Sequence, residues 1–120
     1  MRTVSAVSIL LVDDEPAIRS LMEMALVDAG YRVLQASNGN EALQVFDEHG
    51  QDIALVITDM RMPYVGGAEL IAELQSRRHT LKCLGMSGYV FASDVTVPLL
   101  KKPFSRGELL AKVRSILSAT

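Results

Sequence analysis

Three adjacent carboxylates, Asp13-Asp14-Glu15, follow the apolar run Val7-Ser8-Ile9-Leu10-Leu11-Val12, and a lone one, Asp59, follows Ile53-Ala54-Leu55-Val56-Ile57-Thr58. A hydroxyl, Ser87, ends a third such run, and an ammonium, Lys102, ends a fourth. Runs of this length and composition read as buried strands, and open parallel sheets gather ligands beyond the carboxyl ends of their strands. Acids crowded there cannot all be ionised unaided, because like charges at close range raise one another's pKa and destabilise the fold. A divalent cation removes the conflict. Carboxylate oxygens without a nearby His or Cys suit a hard ion, and Mg²⁺ accepts a few protein ligands with water or phosphate completing its shell. A carboxylate beside such an ion can also attack phosphorus, provided the transferring group's charge is neutralised. Mg²⁺, Lys102 and Ser87 would supply that neutralisation, since phosphoryl transfer is catalysed mainly by positioning and electrostatics. Taken alone, Asp59 is better read as a strand-ending residue that caps a turn. Convergence with the other groups reverses that preference.

Such convergence requires a scaffold. The run ending at Val12 gives way to Asp13-Asp14-Glu15-Pro16; Pro16 suits a first helical turn, with Asp14 or Glu15 as cap, and Ile18, Leu21, Met22, Ala25 and Leu26 recur at helical spacing until Gly30. A second strand is expected over 31–36, then a turn at Ser37-Asn38-Gly39 and a helix over 41–48 with Ala42, Leu43, Val45 and Phe46 inward. After Asp59 come the breakers Pro63 and Gly66-Gly67, then a helix over 68–77 with Leu70, Ile71 and Leu74 on one face. Further strands are expected over 81–86 and 97–100. A last helix opens with a capping box, Ser105 and Glu108, and buries Leu109, Leu110, Val113, Ile116 and Leu117. Regular alternation of strand and helix predicts an α/β fold with a parallel sheet covered on both faces. With strand order 2-1-3-4-5, the strands carrying Asp13, Asp14, Asp59, Ser87 and Lys102 are contiguous.

The bulk properties narrow the functional class. The 120 residues suffice for one domain, residues 1–120, and not for a second core. A net charge of -2 and a pI near 5.6 give no general attraction to nucleic acid or anionic membranes. No apolar run approaches membrane-spanning length, and the opening residues show no secretory pattern. The lone Cys83, in an apolar segment, reads as a small buried hydrophobe in a reducing, cytoplasmic setting. His49 and His79 read as solvated, Met22, Met24, Met60, Met62 and Met86 as gap-fillers, and Arg77-Arg78-His79 as a helix end favourable to the dipole.

Val12-Asp13-Asp14-Glu15, Asp59 followed by Met62-Pro63, Met86-Ser87-Gly88 and Lys102-Pro103-Phe104, in that order at successive strand ends, resemble the receiver domain of two-component response regulators. The resemblance covers nearly the whole chain. It implies a flavodoxin-like three-layer sandwich in which Asp59 accepts a phosphoryl group from a phosphohistidine on a histidine kinase or histidine phosphotransfer protein. It further implies that Asp13, Asp14, Asp59 and the backbone carbonyl of Arg61 hold Mg²⁺, that Ser87 and Lys102 meet phosphoryl oxygens, and that Ile18, Leu21, Pro103 and Phe104 touch the phosphodonor. Such a module is a cytoplasmic signalling domain that assists its own phosphorylation and dephosphorylation, not an enzyme with a separate substrate. It would be either a single-domain regulator or the receiver of a hybrid histidine kinase, and a weak homodimer is compatible with it.

The chain departs from the family in one region. The interval between Ser87 and Lys102 is about two helical turns shorter than the resemblance leads one to expect, so the fourth helix is expected to be shortened or missing. The aromatic residue common three places before Lys102 is Leu99. An atypical receiver that signals without the aromatic switch is therefore an alternative. A second is an Asp-dependent phosphohydrolase, although Arg61 stands where its second acid would be. A nucleotide- or flavin-binding module fits poorly, because Asp13-Asp14-Glu15-Pro16 replaces the glycine-rich first loop. In the family, the positions two after the acceptor and two after the serine govern water access; here they are Arg61 and Tyr89, both large. Slow hydrolysis of the phosphorylated form is expected. Replacing Arg61 and Tyr89 together with small residues should accelerate phosphate loss in a decay assay, and an unchanged rate would remove the argument.

Overall fold

The computed structural model describes residues 7–88 and 97–119. Strands β1 (Ser8–Val12), β2 (Arg32–Ala36), β3 (Ile53–Asp59), β4 (Lys82–Ser87) and β5 (Leu99–Lys101) alternate with helices α1 (Pro16–Asp28), α2 (Gly39–His49) and α3 (Gly67–Arg77), and α4 (Arg106–Ser118) follows β5. The sheet runs β2-β1-β3-β4-β5 with every pair parallel. Each parallel crossover must carry the chain over one face, so helices cover both sides and the central strands are buried throughout.

Side chains leave a strand alternately up and down, and β1 divides its residues accordingly. Ile9 and Leu11 join Leu26, Ile57, Met86 and Leu109 beneath α1 and α4. Leu10 and Val12 join Phe46, Val56, Leu70 and Cys83 beneath α2 and α3. The sheet is therefore the middle layer between two apolar cores. Burial pushes the Cys83 thiol up to about 12, so it stays protonated and unreactive at neutral pH. Among the described residues no helix is long and apolar enough to cross a membrane.

Local chemistry explains where the elements stop. A left-handed φ of 100° at Gly30, which costs a residue with a side chain roughly 1–2 kcal/mol, turns the chain out of α1. Asn38 caps α2, its side chain accepting from the Glu41 N–H, and Ser105 and Glu108 form the expected capping box on α4. Several boundaries move by a residue or two: α2 begins at Gly39, β2 at Arg32, and β5 lies at Leu99–Lys101 instead of over 97–100. Other differences concern α1. Glu15 is its N-cap but makes no side-chain capping bond. Leu21 and Met24 are 65% and 60% exposed, so neither is a core residue; both lie on the outer side of the helix. The expected shortening of the fourth helix falls on residues 89–96, and with Tyr89 it lies outside the described residues.

Arg78 has a structural task that its place in a basic helix end did not reveal. Its guanidinium donates to the carbonyl oxygens of Gly50, at 2.6 Å, and Ile53, and lies 5.6 Å from the Phe46 ring centroid. It ties the loop entering β3 to the end of α3, at the amino-terminal edge of the sheet. Arg78→Ala should lower the unfolding free energy by about 2 kcal/mol in a urea titration, the range for lost hydrogen bonds from a charged group. Arg78→Lys should recover less than half, because one ammonium cannot span both carbonyls in a plane. A loss below about 0.5 kcal/mol, the scatter of ordinary surface substitutions, would contradict this role.

Candidate functional site

The carboxyl ends of β1, β3, β4 and β5 form the opposite edge, and the sheet register sets what meets there. Val12 pairs with Thr58 and Asp59 with Met86, which brings Asp13, Asp59 and Ser87 to one level. The neighbouring pair Ser87 and Lys101 places Lys102 just beyond β5, where its backbone N–H donates to the Ser87 carbonyl at 2.7 Å. Lys101 is exposed, while Lys102 turns inward, as alternation along a strand requires.

The exit from β3 is held tightly. The Met60 N–H donates to the Met86 carbonyl and the Gly67 N–H to the Met60 carbonyl, at 2.9 and 3.2 Å. A Cβ on Gly67 would stand 2.6 Å from the Asp59 carbonyl oxygen, and one on Gly85 2.6 Å from Met60 Sδ. Gly67 therefore does more than break the chain. With Gly85 it clears the space in which Met60 lies, and this packing fixes the direction in which Asp59 leaves the strand.

Asp13 is fully buried and Asp59 is 6% exposed, an arrangement that costs free energy unless the charges are matched. Asp13 Oδ1 accepts from the Glu15 N–H at 2.9 Å, and Asp59 Oδ1 from the Arg61 N–H at 3.1 Å. Lys102 Nζ lies 3.1 Å from Asp59 Oδ2 and 3.6 Å from Asp13 Oδ2. The latter oxygen is buried and has no hydrogen-bond partner among the described residues. With Asp14, which is exposed, these acids offer one oxygen each within 4.8 Å of one another. Three carboxylates thus face one ammonium, an excess of negative charge that a hard divalent cation would balance. The site residues fit Mg²⁺ on that ground: the donors are all oxygen, and one buried oxygen lacks a hydrogen.

Burial raises the Asp13 pKa, and the nearby Asp59 and Asp14 charges add to it against the lowering effects of the Glu15 N–H and Lys102. The folded chain accordingly holds the Asp13 proton more readily than the unfolded chain, so ionising Asp13 costs stability as pH rises above 3.8. Burial alone would lower the Lys102 pKa, but its hydrogen bond to Asp59 and the charges of Asp13, Asp59 and Glu15 hold it above its ordinary value. Lys102 therefore stays charged throughout the neutral range.

Each sequence-selected residue has a definite place. Asp13, Asp14, Asp59 and Lys102 meet. Ser87, 6% exposed, ends β4 beside them, and Arg61 supplies its N–H to Asp59 from the following loop. Ile18, Leu21, Pro103 and Phe104 line one groove of about 630 Å³ between α1 and the start of α4, with Lys102 at its edge. Met24 lines it too, so this methionine belongs to a surface and is not a gap-filler. Sequence reasoning passed over Arg19, whose guanidinium reaches the Asp13 carbonyl.

Comparisons with known proteins agree with the fold. The family model for the response regulator receiver domain matches residues 9–114. Sensor kinase CckA of Brucella abortus is 36% identical over 117 residues, covering 92% of this chain and 12% of the kinase. The transcriptional regulatory protein TrcR of Mycobacterium tuberculosis is 33% identical over 120 residues, covering 94% of this chain and 46% of the regulator. The chain thus spans less than half the length of either relative. Among solved structures, chemotaxis protein CheY4 of Vibrio cholerae superposes with a TM-score of 0.86 at 25% identity, covering 93% of this chain and 99% of that one. The receiver domain of the hybrid histidine kinase CckA gives 0.83 at 34% identity, covering 92% and 99%.

Lys102→Met tests the electrostatic account directly. It leaves two buried carboxylates without their ammonium, and because the Lys102 side chain is 24% exposed the loss should be about 2 kcal/mol, below that for a wholly buried pair. Urea unfolding with a chelator present should show that loss, and added Mg²⁺ should restore part of it. Equal stability of variant and parent in chelator would mean that the acids do not repel as described.

Proposed function

Because the chain belongs to the response regulator receiver domain family, we propose that its phosphoacceptor is Asp59 and that residues 1–120 form one receiver module. As a family member it is a signalling domain of two-component systems. The observation that most supports the residue assignment is the buried Asp13 Oδ2, without a hydrogen-bond partner among the described residues, on an acid that offers one oxygen within 4.8 Å of oxygens from Asp14 and Asp59. Asp13, Asp14, Asp59 and the Arg61 carbonyl would hold Mg²⁺. When bound, that ion supplies positive charge against the negative charge of the transferring phosphoryl group.

The chain's own residues do the rest. One carboxylate oxygen of Asp59 attacks phosphorus, the bond from phosphorus to the donor's histidine nitrogen breaks, and its electron pair stays on the imidazole. Asp59 is pre-aimed for this, since the Arg61 N–H holds one oxygen and Lys102 the other. Whichever oxygen attacks, its partner keeps a donor, so the carboxylate need not reorganise. Ser87 and Lys102, joined through the Lys102 N–H and the Ser87 carbonyl, would receive phosphoryl oxygens at the ends of β4 and β5. Charge-assisted bonds to these oxygens give the domain a means of assisting its own phosphorylation and dephosphorylation.

The donor we infer is a histidine kinase or histidine phosphotransfer protein seated over Ile18, Leu21, Pro103 and Phe104, which places an imidazole at the mouth of the site. A cytoplasmic setting suits the single buried thiol, Cys83. A phosphohydrolase fits less well, because no acid occupies the place of Arg61 to protonate a leaving group.

Incubation with Mg²⁺ and a small phosphodonor such as acetyl phosphate should add one phosphoryl group by intact mass. Asp59→Asn should add none, and chelation should suppress the reaction in the parent. Failure of the parent to gain mass, or persistent gain in Asp59→Asn, would overturn the assignment.

A further inference from the structure

We propose that Arg19 is a positioning residue that sets the direction of the metal-binding carboxylates by fixing the Asp13 peptide plane. The proposal rests on the reading of Asp13 and Asp14 as metal ligands. Arg19 leaves α1 in its first turns and reaches across the end of β1. Its Nη1 donates to the Asp13 carbonyl at 2.7 Å, and its Nε donates to Gln35 Oε1 on β2 at 2.9 Å. The Asp13 N–H in turn donates to the Ala36 carbonyl at 3.2 Å, also on β2. The main chain at Asp13 is thus held on both sides, and one of the two holders is a side chain.

The consequence follows from peptide geometry. The Asp13 carbonyl shares a rigid plane with the Asp14 nitrogen, so turning that plane swings the Asp14 Cα and side chain. Burial fixes Asp13 itself, whereas Asp14 is exposed. A water molecule could satisfy the same carbonyl, yet it would not fix the direction of the plane. The guanidinium does, because its planar fork is itself anchored on Gln35. Its two acceptors are also informative: both are neutral oxygens, a carbonyl and an amide. Arg19 therefore orders the acidic loop without occupying a carboxylate oxygen that the ion would use.

The experiment is Mg²⁺ binding by calorimetry, using the metal alone, for the whole chain and for Arg19→Lys, Gln35→Met and the double variant. Urea unfolding in chelator runs beside it. Arg19→Lys keeps the charge and loses the fork. It should weaken Mg²⁺ binding about 10-fold, the lower end of the cost of losing a group that orients a ligand. Gln35→Met, which keeps Arg19 but removes its anchor, should weaken binding in the same direction. The double variant should bind no more weakly than Arg19→Lys, since both changes break one network. If Arg19→Lys fails to fold, Gln35→Met carries the test.

Unchanged affinity in the folded variants overturns the proposal, even where stability in chelator falls, because a merely structural arginine would give that pattern. Absence of Mg²⁺ binding by the parent overturns the metal reading itself. The two failures are therefore distinguished by the parent alone.

Discussion

Everything at the carboxyl edge of this sheet answers to one electrostatic constraint: Asp13 and Asp59 are buried close together with a single ammonium, Lys102, between them. Neither acid could be held there by packing alone, since an ionised carboxylate out of water is tolerated only when paired and hydrogen-bonded. Each arm of the arrangement draws on a different element. β1 brings Asp13, β3 brings Asp59, and the residue after β5 brings the cation. The order β2-β1-β3-β4-β5 makes their meeting possible, because it sets β1 and β4 on either side of β3. A divalent ion would balance the excess negative charge that this grouping creates.

The fold was legible in the sequence because parallel strands buried on both faces leave predominantly apolar runs, and this chain has them at 7–12, 53–58 and 81–86. Given the strand order 2-1-3-4-5, the meeting of Asp13, Asp14, Asp59 and Lys102 followed from the rule that open sheets bind at their carboxyl edge. Boundaries were less legible. The short β5 is set by pairing with β4, a non-local interaction that local propensity does not encode. Leu21 shares the periodicity of core residues but points outward, since a helical stripe wider than the sheet can cover leaves part of itself exposed. Arg19 and Arg78 were missed for a common reason. Both bond main-chain carbonyls, six positions away for Arg19 and 28 and 25 for Arg78, and a carbonyl leaves no residue signature.

Two arginines thus hold two ends of the sheet by the same chemistry. Arg78 joins the loop before β3 to the end of α3, and Arg19 joins the loop after β1 to β2. A planar group with several fixed donors suits both places, because the carbonyls at strand ends diverge and no single backbone N–H can reach two of them. The difference lies in what each end carries. At the amino-terminal edge a rigid loop serves stability alone, whereas at the carboxyl edge it also governs where acidic side chains point.

The glycines add a constraint of shape to that of charge. Met60 follows Asp59 directly and lies where a Cβ on either Gly67 or Gly85 would collide with it. The chain therefore leaves β3 along a path with little freedom, and the loop that bears Arg61 starts from a fixed point. With Asp59 as acceptor, added phosphoryl charge would compete with Asp13 for Lys102, whose ammonium pairs with both acids. Lys102 cannot respond alone. Its N–H is bonded to Ser87, and β5 is only three residues long, paired to β4 alone. A strand that short has few ladder bonds to resist displacement, so a change of partner at Lys102 would act first along the β4–β5 edge. A physical route from the acids to the surface would then run through the shortest strand of the sheet.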